Sequence, residues 1–394
     1  MADDAGRDPE FDPFANLPLF GDLAKALQGQ GPLNWDAARQ FAALATSGGS
    51  PGGEANVEPT VRIAYDRLVP IAEMHVRDVT GFEGPAPRLE LVTPGVWAQR
   101  TLEDYRPLFT ELAVSLARPG DVDDTPAPHD PMMAMMAGLS QMMAPAMMGM
   151  SIGSMVGRLG TRAFGQYDLP VPRTSSSVLV VARTVDQFAD EWSLPLDEMR
   201  LWVLAQELIG HSVYSHTPTR EAIISLVQRH VGAFRADPSS VSEKLADLDL
   251  GTDGDPMVAI QQAFSDPEVL LGAVRSPEQV ALAPVLDAAT AAVVGYVDYM
   301  VDSVAARLIG GDALRIAEAV RRRRIEAGAE DVFIERLLGL QVTPAMVQRG
   351  KNFVAGVVDR AGEAALASLF ATDSSLPTPA ELEAPGLWLA RIEL

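Results

Sequence analysis

The sequence contains no cysteine and is short of positive charge. Without cysteine, the chain has no disulfide framework, no thiolate metal site and no cysteine nucleophile. Its 31 lysines and arginines are outnumbered by 53 aspartates and glutamates, which gives a formal net charge of −22. Such a surface repels phosphate backbones, so we expect no nucleic-acid partner. The arginine run 321–324 does not alter this expectation, because four consecutive residues point around a helix and pair with nearby glutamates.

An apolar N-terminal segment is also missing. The first residues, MADDAGRDPEFDP, are acidic, which argues against a secretory signal and predicts a cytoplasmic location. With 394 residues, 47% of them hydrophobic, the chain has enough apolar side chains for a large core.

One uncharged run, residues 131–157, is rich in methionine and longer than the roughly 20 apolar residues that span a bilayer. Pro145 divides the run, and serines and a glutamine dilute it, so we predict core helices and no membrane location. The first helix is Met-rich and also suits an adaptable binding surface. The second carries Gly149, Gly153 and Gly157 at four-residue spacing, which allows close helix packing.

Little of the sequence alternates polar and apolar residues with the period of a strand. The predicted fold class is therefore mainly α, an α+β fold with a small sheet. The segment SSSVLVVAR (175–183) is the clearest strand, and T-V-D-Q (184–187) fits a capping box that opens the next helix. Helices are predicted after an Asn34 cap, from about Pro195 to beyond 210, and at 59–79, 101–117, 219–232, 255–264, 277–308, 311–327, 331–338 and 343–370.

Shifts in composition divide the chain into four parts. Residues 1–56 are predicted to be a loosely ordered acidic tail, a short helix and a glycine-rich linker. Residues 57–120 form an N-terminal helical part, and 121–131 are an acidic, proline-rich break. Residues 132–394 form the predicted core.

Residues 202–216, WVLAQELIGHSVYSH, differ at two positions from the H-E-x-x-H motif of metallopeptidases. In that motif, histidines four residues apart on a helix reach one zinc ion, and the glutamate polarises the metal-bound water. Glu207 stands at the glutamate position, but Gln206 and Gly210 stand where the histidines would be. Glutamine is a poor zinc ligand and glycine has no side chain, so the motif alone predicts no metal site.

Further segments extend the similarity over roughly residues 57–394. They are VPIAEMHVRDVTG (69–81), GQYDLPVP (165–172), the predicted strand, LWVLAQELIGHSVYSHTP (201–218), GYVDYMVDSV (295–304), LLGLQ (337–341), RGKNFVAGVV (349–358) and LPTPAELEAPGLWLARI (376–392). With these segments in this order, the chain resembles a bacterial family of zinc-dependent metallopeptidases and hydrolases. The resemblance implies a zincin-like helical core with a small sheet.

The resemblance also implies roles for particular positions. Glu207 falls on the general base, and Gln206 and Gly210 fall on two ligand histidines. The third ligand, a glutamate that precedes G-Y in a later helix, falls on Val294. With all three ligands replaced, we expect no cofactor. We hypothesise a catalytically inactive protein that serves as a binding or scaffold protein for a protein or peptide partner.

A metallopeptidase or hydrolase with displaced ligands, which would require zinc, is the alternative. Its available ligands would be Glu207, His211 and His216. The face that carries Glu207 and His211 is turned about 100° around the helix from the family's ligand pair. His216 is predicted to lie beyond the helix end.

Several other polar residues are assigned structural roles. Tyr296 is a cleft candidate and, with Gln206, a predicted hydrogen-bond partner of Glu207, because a buried carboxyl group needs a partner. Asp168 in GQYDLP is predicted to be a turn or cap residue outside the cleft. Asp298 and Asp302 are predicted to be exposed or ion-paired.

Overall fold

The structure, a computed structural model, describes residues 31–47, 54–118, 131–175, 177–235, 276–325, 333–340 and 342–392, without the side chains of 131–141, 325 and 333. The helices are α1 (Trp35–Ser47), α2 (Pro59–Thr80), α3 (Pro94–Asp104), α4 (Arg106–Ala117), α5 (Pro131–Arg162), α6 (Ala182–Glu191), α7 (Leu196–Ser215), α8 (Thr217–Gly232), α9 (Pro277–Leu308), α10 (Ala313–Ile325), α11 (Phe333–Leu337), α12 (Pro344–Ala361), α13 (Pro379–Glu383) and α14 (Pro385–Ile392). The strands are β1 (Arg88–Leu91) and β2 (Ser177–Val180), and 3₁₀ turns lie at Gln166–Asp168, Gly310–Asp312 and Glu363–Phe370. The predicted mainly α class with a small sheet is confirmed.

Helix α7 lies in the core of the protein. Every residue from Met199 to Gly210 is buried, so this stretch has no solvent-facing stripe. The helix packs against α2, α6, α8, α9 and α10. Its buried polar residues include Gln206 and Glu207, and buried polar groups normally have hydrogen-bond partners. What surrounds these two side chains therefore defines the candidate site.

Helix α5 uses its glycines to pack closely against α1. A Cβ atom at Gly149, Gly153 or Gly157 would lie 2.2, 2.1 or 2.7 Å from main-chain oxygens of α1 and its N-cap. Real Cβ atoms are not found at such distances, so the two backbones touch because these positions lack a side chain. The predicted glycine-faced helix is confirmed. The contact joins α1 to α5, while the predicted part boundaries at 56, 120 and 131 remain predictions.

Pro145 does not divide α5, so the prediction of two helices in this region is wrong. Proline inside a helix removes one hydrogen bond and costs about 3 kcal/mol or more. The packing against α1 offsets that cost, and the backbone N–H of Asn34 donates to the Pro145 carbonyl over 2.9 Å. Asn34 also caps α1 as predicted, because its Oδ1 accepts from the N–H of Ala37 over 2.9 Å.

The sheet consists of β1 and β2 in parallel, with Leu89 beside Val178. Strand β2 confirms the predicted strand over a shorter range, whereas β1 was not predicted because RLEL is too short to show a pattern. An isolated antiparallel bridge joins Gly165 to Val180 and holds the segment after α5 against the sheet.

The capping box predicted at Thr184 is wrong. Helix α6 already begins at Ala182, and its N-cap, Val181, makes no side-chain cap. The backbone N–H of Val181 donates to the Phe164 carbonyl over 2.8 Å. Because this bond ties Val181 to the segment beside the sheet, the chain turns into the helix directly after it.

Two further helix boundaries differ from the predictions. The predicted helix 101–117 is instead α3 and α4, which meet at Tyr105. The buried Tyr105 hydroxyl donates to the Val171 carbonyl over 2.8 Å, which fixes the chain at this bend. The predicted helix 343–370 ends at Ala361, because Gly362 has φ 81° and a 3₁₀ turn follows. The predicted helix 255–264 lies outside the described residues.

Helix α9 has 32 residues and is long and apolar enough to cross a membrane, with a mean hydropathy of 1.8 in its most apolar window. In the structure, 61% of that window is buried against other elements, as in a core helix. A Cβ at Gly295 would lie 2.2 Å from the Gly350 carbonyl carbon, so α9 and α12 meet backbone to backbone. The segments 295–304 and 349–358 therefore meet in the core.

The α1–α5 contact predicts a difference between two glycine substitutions. Gly153→Ala should lower the free energy of unfolding by about 1–3 kcal/mol, since its methyl group would meet a main-chain oxygen. Gly311→Ala is the matched control, because nothing lies within 4 Å of a Cβ there, and it should change stability by less than about 0.5 kcal/mol. Urea unfolding of both variants provides the measurement, and equal stability would contradict the close contact.

Candidate functional site

A cleft lies beside the buried stretch of α7. It is lined by Gln206 from α7, Val294 from α9 and Tyr167 from the 3₁₀ turn after α5, and its volume is about 70 Å³. This space accommodates several water molecules or one small chemical group. The two residues that the sequence assigned to the first and third ligand positions, Gln206 and Val294, thus line the same cleft.

The side chain of Tyr167 fills the space over Gly210. A Cβ atom at Gly210 would lie 2.8 Å from Cδ2 and 2.9 Å from Cγ of the tyrosine. The tyrosine ring stacks on Tyr214 with 5.5 Å between centroids, and its hydroxyl lies 3.4 Å from His211 Nδ1. While Tyr167 is in this place, no larger residue fits at 210. Sequence analysis did not single out Tyr167, because its position depends on how the segment after α5 folds back.

The carboxyl group of Glu207 is fully buried. Its Oε2 accepts from the backbone N–H of Tyr167 over 3.0 Å, and within the described part of the chain Oε1 has no hydrogen-bond partner. A Cβ at Gly165 would lie 2.3 Å from Glu207 Cδ, so the glycine backbone lies directly on the carboxyl group. Burial, and next the charge of Asp168, raise the pKa of Glu207 well above its ordinary value of 4.5. The site therefore favours the neutral carboxylic acid.

Hydrogen bonds fix the segment that covers Glu207. The indole Nε1 of Trp97 donates to the Gly165 carbonyl over 2.8 Å. Oδ2 of Asp168 accepts from the N–H of Gly165 over 3.1 Å and also from the N–H of Phe164. The prediction of Asp168 as a turn residue is confirmed by these bonds. The accompanying prediction that it lies outside the cleft is wrong, because Asp168 also lines the cleft.

The predicted pairing of Glu207 with Gln206 or Tyr296 is wrong. The recorded partner of Glu207 is the Tyr167 backbone, and the Tyr296 ring packs edge-on against Phe370 with 4.8 Å between centroids. The ring of Tyr296 is held by this aromatic contact, so the later helix crosses α7 without bringing a hydroxyl to the carboxyl group.

The two neighbouring histidines lie in different environments. His211 is half-buried, burial lowers its pKa, and Tyr167 is its hydroxyl neighbour. His216 forms the C-cap of α7, which agrees with its predicted position beyond the helix end. Its ring stacks on Phe370 with 5.5 Å between centroids and meets the edge of Phe82.

One wall of the cleft carries charge. Its charged residues are Arg162, Asp168, Arg323, Arg324 and Glu335. Burial raises the pKa of Glu335 to about 7, and the charge of Arg162 opposes that increase. The wall was missed because the arginine run 321–324 was expected to pair with glutamates on its own helix.

The arginines of that run make different contacts. Arg322 pairs with Glu318 as predicted, over 3.3 Å. Arg323 lies with Cζ 3.5 Å from the centroid of Phe164. Arg324 pairs with Asp298 over 3.2 Å, which confirms the predicted ion pairing of that aspartate. The other predicted case, Asp302, pairs with Lys351.

The side chains at the three predicted ligand positions do not fit a zinc ion. Zinc in proteins is held by cysteine, histidine, aspartate or glutamate, whereas Gln206, Gly210 and Val294 offer one amide and no charged donor. In the described ranges, no group of three such side chains is close enough to hold a metal. Glu207, His211 and His216 therefore do not form such a group.

The mainly helical fold places the buried helix α7 beside a cleft. A family model described as zincin-like metallopeptidase matches residues 33–389. The chain therefore belongs to the zincin-like metallopeptidase family, and the resemblance inferred from the sequence is confirmed.

Among solved structures, the chain is similar to a Chloroflexus aurantiacus protein described as a "putative hydrolase with a novel fold". The TM-score is 0.56 at 21% identity, and the match covers 92% of this chain and 99% of the other. A likeness at this identity supports the fold alone. No functionally curated protein matches the chain.

Because Glu207 is buried, we predict that Glu207→Gln stabilises the protein and that this stabilisation depends on pH. Because the pKa of Glu207 is raised in the folded state, the wild-type protein loses stability as the pH rises above about 4.5 towards that pKa. Glutamine is a neutral isostere without that loss. The stability of the variant relative to wild type should therefore grow by about 1 kcal/mol or more between about pH 5 and 8.

Denaturant unfolding of both proteins at each pH measures this difference. Glu191→Gln, which replaces an exposed carboxylate on α6, is the control and should change stability by less than about 0.5 kcal/mol. A constant difference for Glu207→Gln would contradict a neutral buried carboxyl group.

Proposed function

We propose that this member of the zincin-like metallopeptidase family is not a metallopeptidase itself and works as a binding or scaffold protein for a peptide or protein partner. The observation that carries the proposal is the position of Gln206 and Val294 on one cleft, with Tyr167 over Gly210. A zincin needs three strong ligands that converge on the metal. Here an amide, a tyrosine ring and a valine side chain take up that space.

The environment of Glu207 supports the same proposal. A general base must reach water or substrate in its charged form. Glu207 has no exposed surface and lies under the Gly165 backbone, and its recorded hydrogen bond comes from a backbone N–H. Its carboxyl group acts as a structural acid that holds the segment with Tyr167 in place.

The proposal predicts little zinc in the purified protein. After dialysis against zinc and then buffer, elemental analysis should find far less than one zinc per chain. Peptide libraries should remain uncleaved when zinc is added. The result that would overturn the proposal is one zinc per chain that is lost in His211→Ala and in Glu207→Ala, together with chelator-sensitive hydrolysis. That outcome would identify an enzyme with displaced ligands.

The assigned ligand positions predict that a metal site can be rebuilt. Gln206→His, Gly210→His and Val294→Glu together should still fail to bind zinc, because a Cβ at 210 meets the Tyr167 ring at 2.8 Å. Adding Tyr167→Gly should clear that space and give about one zinc per folded chain. Calorimetric titration with zinc measures both variants. A folded fourfold variant that binds no zinc would show that Val294 is not the third position.

A further inference from the structure

The cleft contains a buried hydrogen-bond acceptor without a partner. Gln206 is 4% exposed and lines the cleft, and among the described residues its Oε1 has no donor. A buried acceptor in this state is unfavourable unless a donor reaches it. Because Gln206 lines the cleft, a donor bound there is the candidate partner for this oxygen. A ligand with an N–H donor would satisfy it.

Cationic groups stand on the wall of the same cleft, in a chain whose net charge is −22. The guanidinium of Arg323 has Cζ 3.5 Å from the centroid of Phe164, donates through Nη2 to the Arg162 carbonyl and has Nη1 4.0 Å from Asp168 Oδ1, and these contacts fix its orientation. Arg324 uses Nη1 and Nη2 on Asp298, and a guanidinium has five N–H donors, so some remain for a ligand. Two adjacent guanidiniums suit a carboxylate, which they can bind through paired hydrogen bonds.

Acidic groups also face the cleft, but they leave room for an anion. Asp298 is occupied by Arg324. Asp168 accepts backbone N–H groups through Oδ2, and its Oδ1 lies 4.0 Å from Arg323 Nη1, at the outer limit of an ion pair. Burial raises the pKa of Glu335 to about 7, so below that pH its carboxyl group is largely neutral. The charges that face Glu335 are those of Arg162, Asp168, Arg324 and Arg336.

The remaining lining of the cleft is mainly apolar. It includes Leu159, Val294, Val320 and Val342. The volume of about 70 Å³ limits what these side chains can cover to a small group.

We propose that the cleft binds a carboxylate with a neighbouring N–H donor and a small apolar side chain, which is the chemistry of an N-acylated amino acid and of a peptide C-terminus. The carboxylate contacts Arg323 and Arg324, the N–H donates to Gln206 Oε1, and the side chain contacts the valines. The inference rests on the proposed function in one respect: the cleft is used without a metal.

The probe is N-acetyl-L-valine, titrated into the full chain in chelator-containing buffer at about pH 6 and followed by calorimetry. N-acetyl-L-valinamide is the matched probe, because it keeps the N–H and the side chain and lacks the charge. We expect the acid to bind about tenfold or more tightly than the amide. Equal binding of the two, or no binding of either, would overturn the inference.

Protein variants test the two anchors separately. Arg323→Gln should weaken binding of the acid about tenfold, and the adjacent Arg322→Gln should not change it. Arg322 is the matched control, because it has the same charge, is 61% exposed and pairs with Glu318. Gln206→Met keeps the shape, removes the acceptor and should weaken both probes severalfold. If Arg323→Gln unfolds because Phe164 loses its neighbour, Gln206→Met and the comparison of the acid with the amide still test the inference.

Short peptides that end in valine, as free acid and as C-terminal amide, separate the two sources of the carboxylate. A free-acid peptide that binds at least as well as N-acetyl-L-valine assigns the cleft to protein C-termini. Loss of binding in the peptide assigns it to a small acid. Failure of the proposed function has a different result: zinc at one per chain, with acid binding that chelator abolishes. If metal-free protein does not bind the acid, this inference is wrong and the proposed function is not affected.

Discussion

The buried carboxyl group of Glu207 lies at the point where α7, the segment after α5 and the sheet meet. Its Oε2 accepts a hydrogen bond from the Tyr167 backbone N–H, and the backbone of Gly165 lies against it. That contact requires glycine, because a Cβ at 165 would lie 2.3 Å from Glu207 Cδ. Trp97 and Asp168 then hold the segment from the other side. The 3₁₀ turn that results places Tyr167 over Gly210.

The elements around the cleft are joined by hydrophobic packing and close backbone contacts. Tyr167 stacks on Tyr214, and α9 meets α12 through Gly295 and Gly350. Family membership therefore describes the architecture of this chain, whereas its chemistry depends on the residues at the cleft.

The sequence predicted the parts of the fold that depend on local pattern. Apolar spacing located α2, α7 and α9, and a β-branched run located β2. Two of the errors occur where a distant contact decides. Tyr105 ends α3 because its hydroxyl reaches Val171, and Pro145 stays inside α5 because α1 packs against that helix. Local propensity contains neither contact.

The candidate site shows the same division. The sequence alone identified the residues at the motif positions, and with them the absence of strong zinc ligands at Gln206 and Gly210. It also determined the acidic charge and the lack of cysteine. Only the tertiary structure decided that Tyr167 covers Gly210 and that Arg323 faces the cleft while its neighbour Arg322 faces solvent. The sequence determines which side chains are present, but which of them share a cleft depends on how separate helices pack.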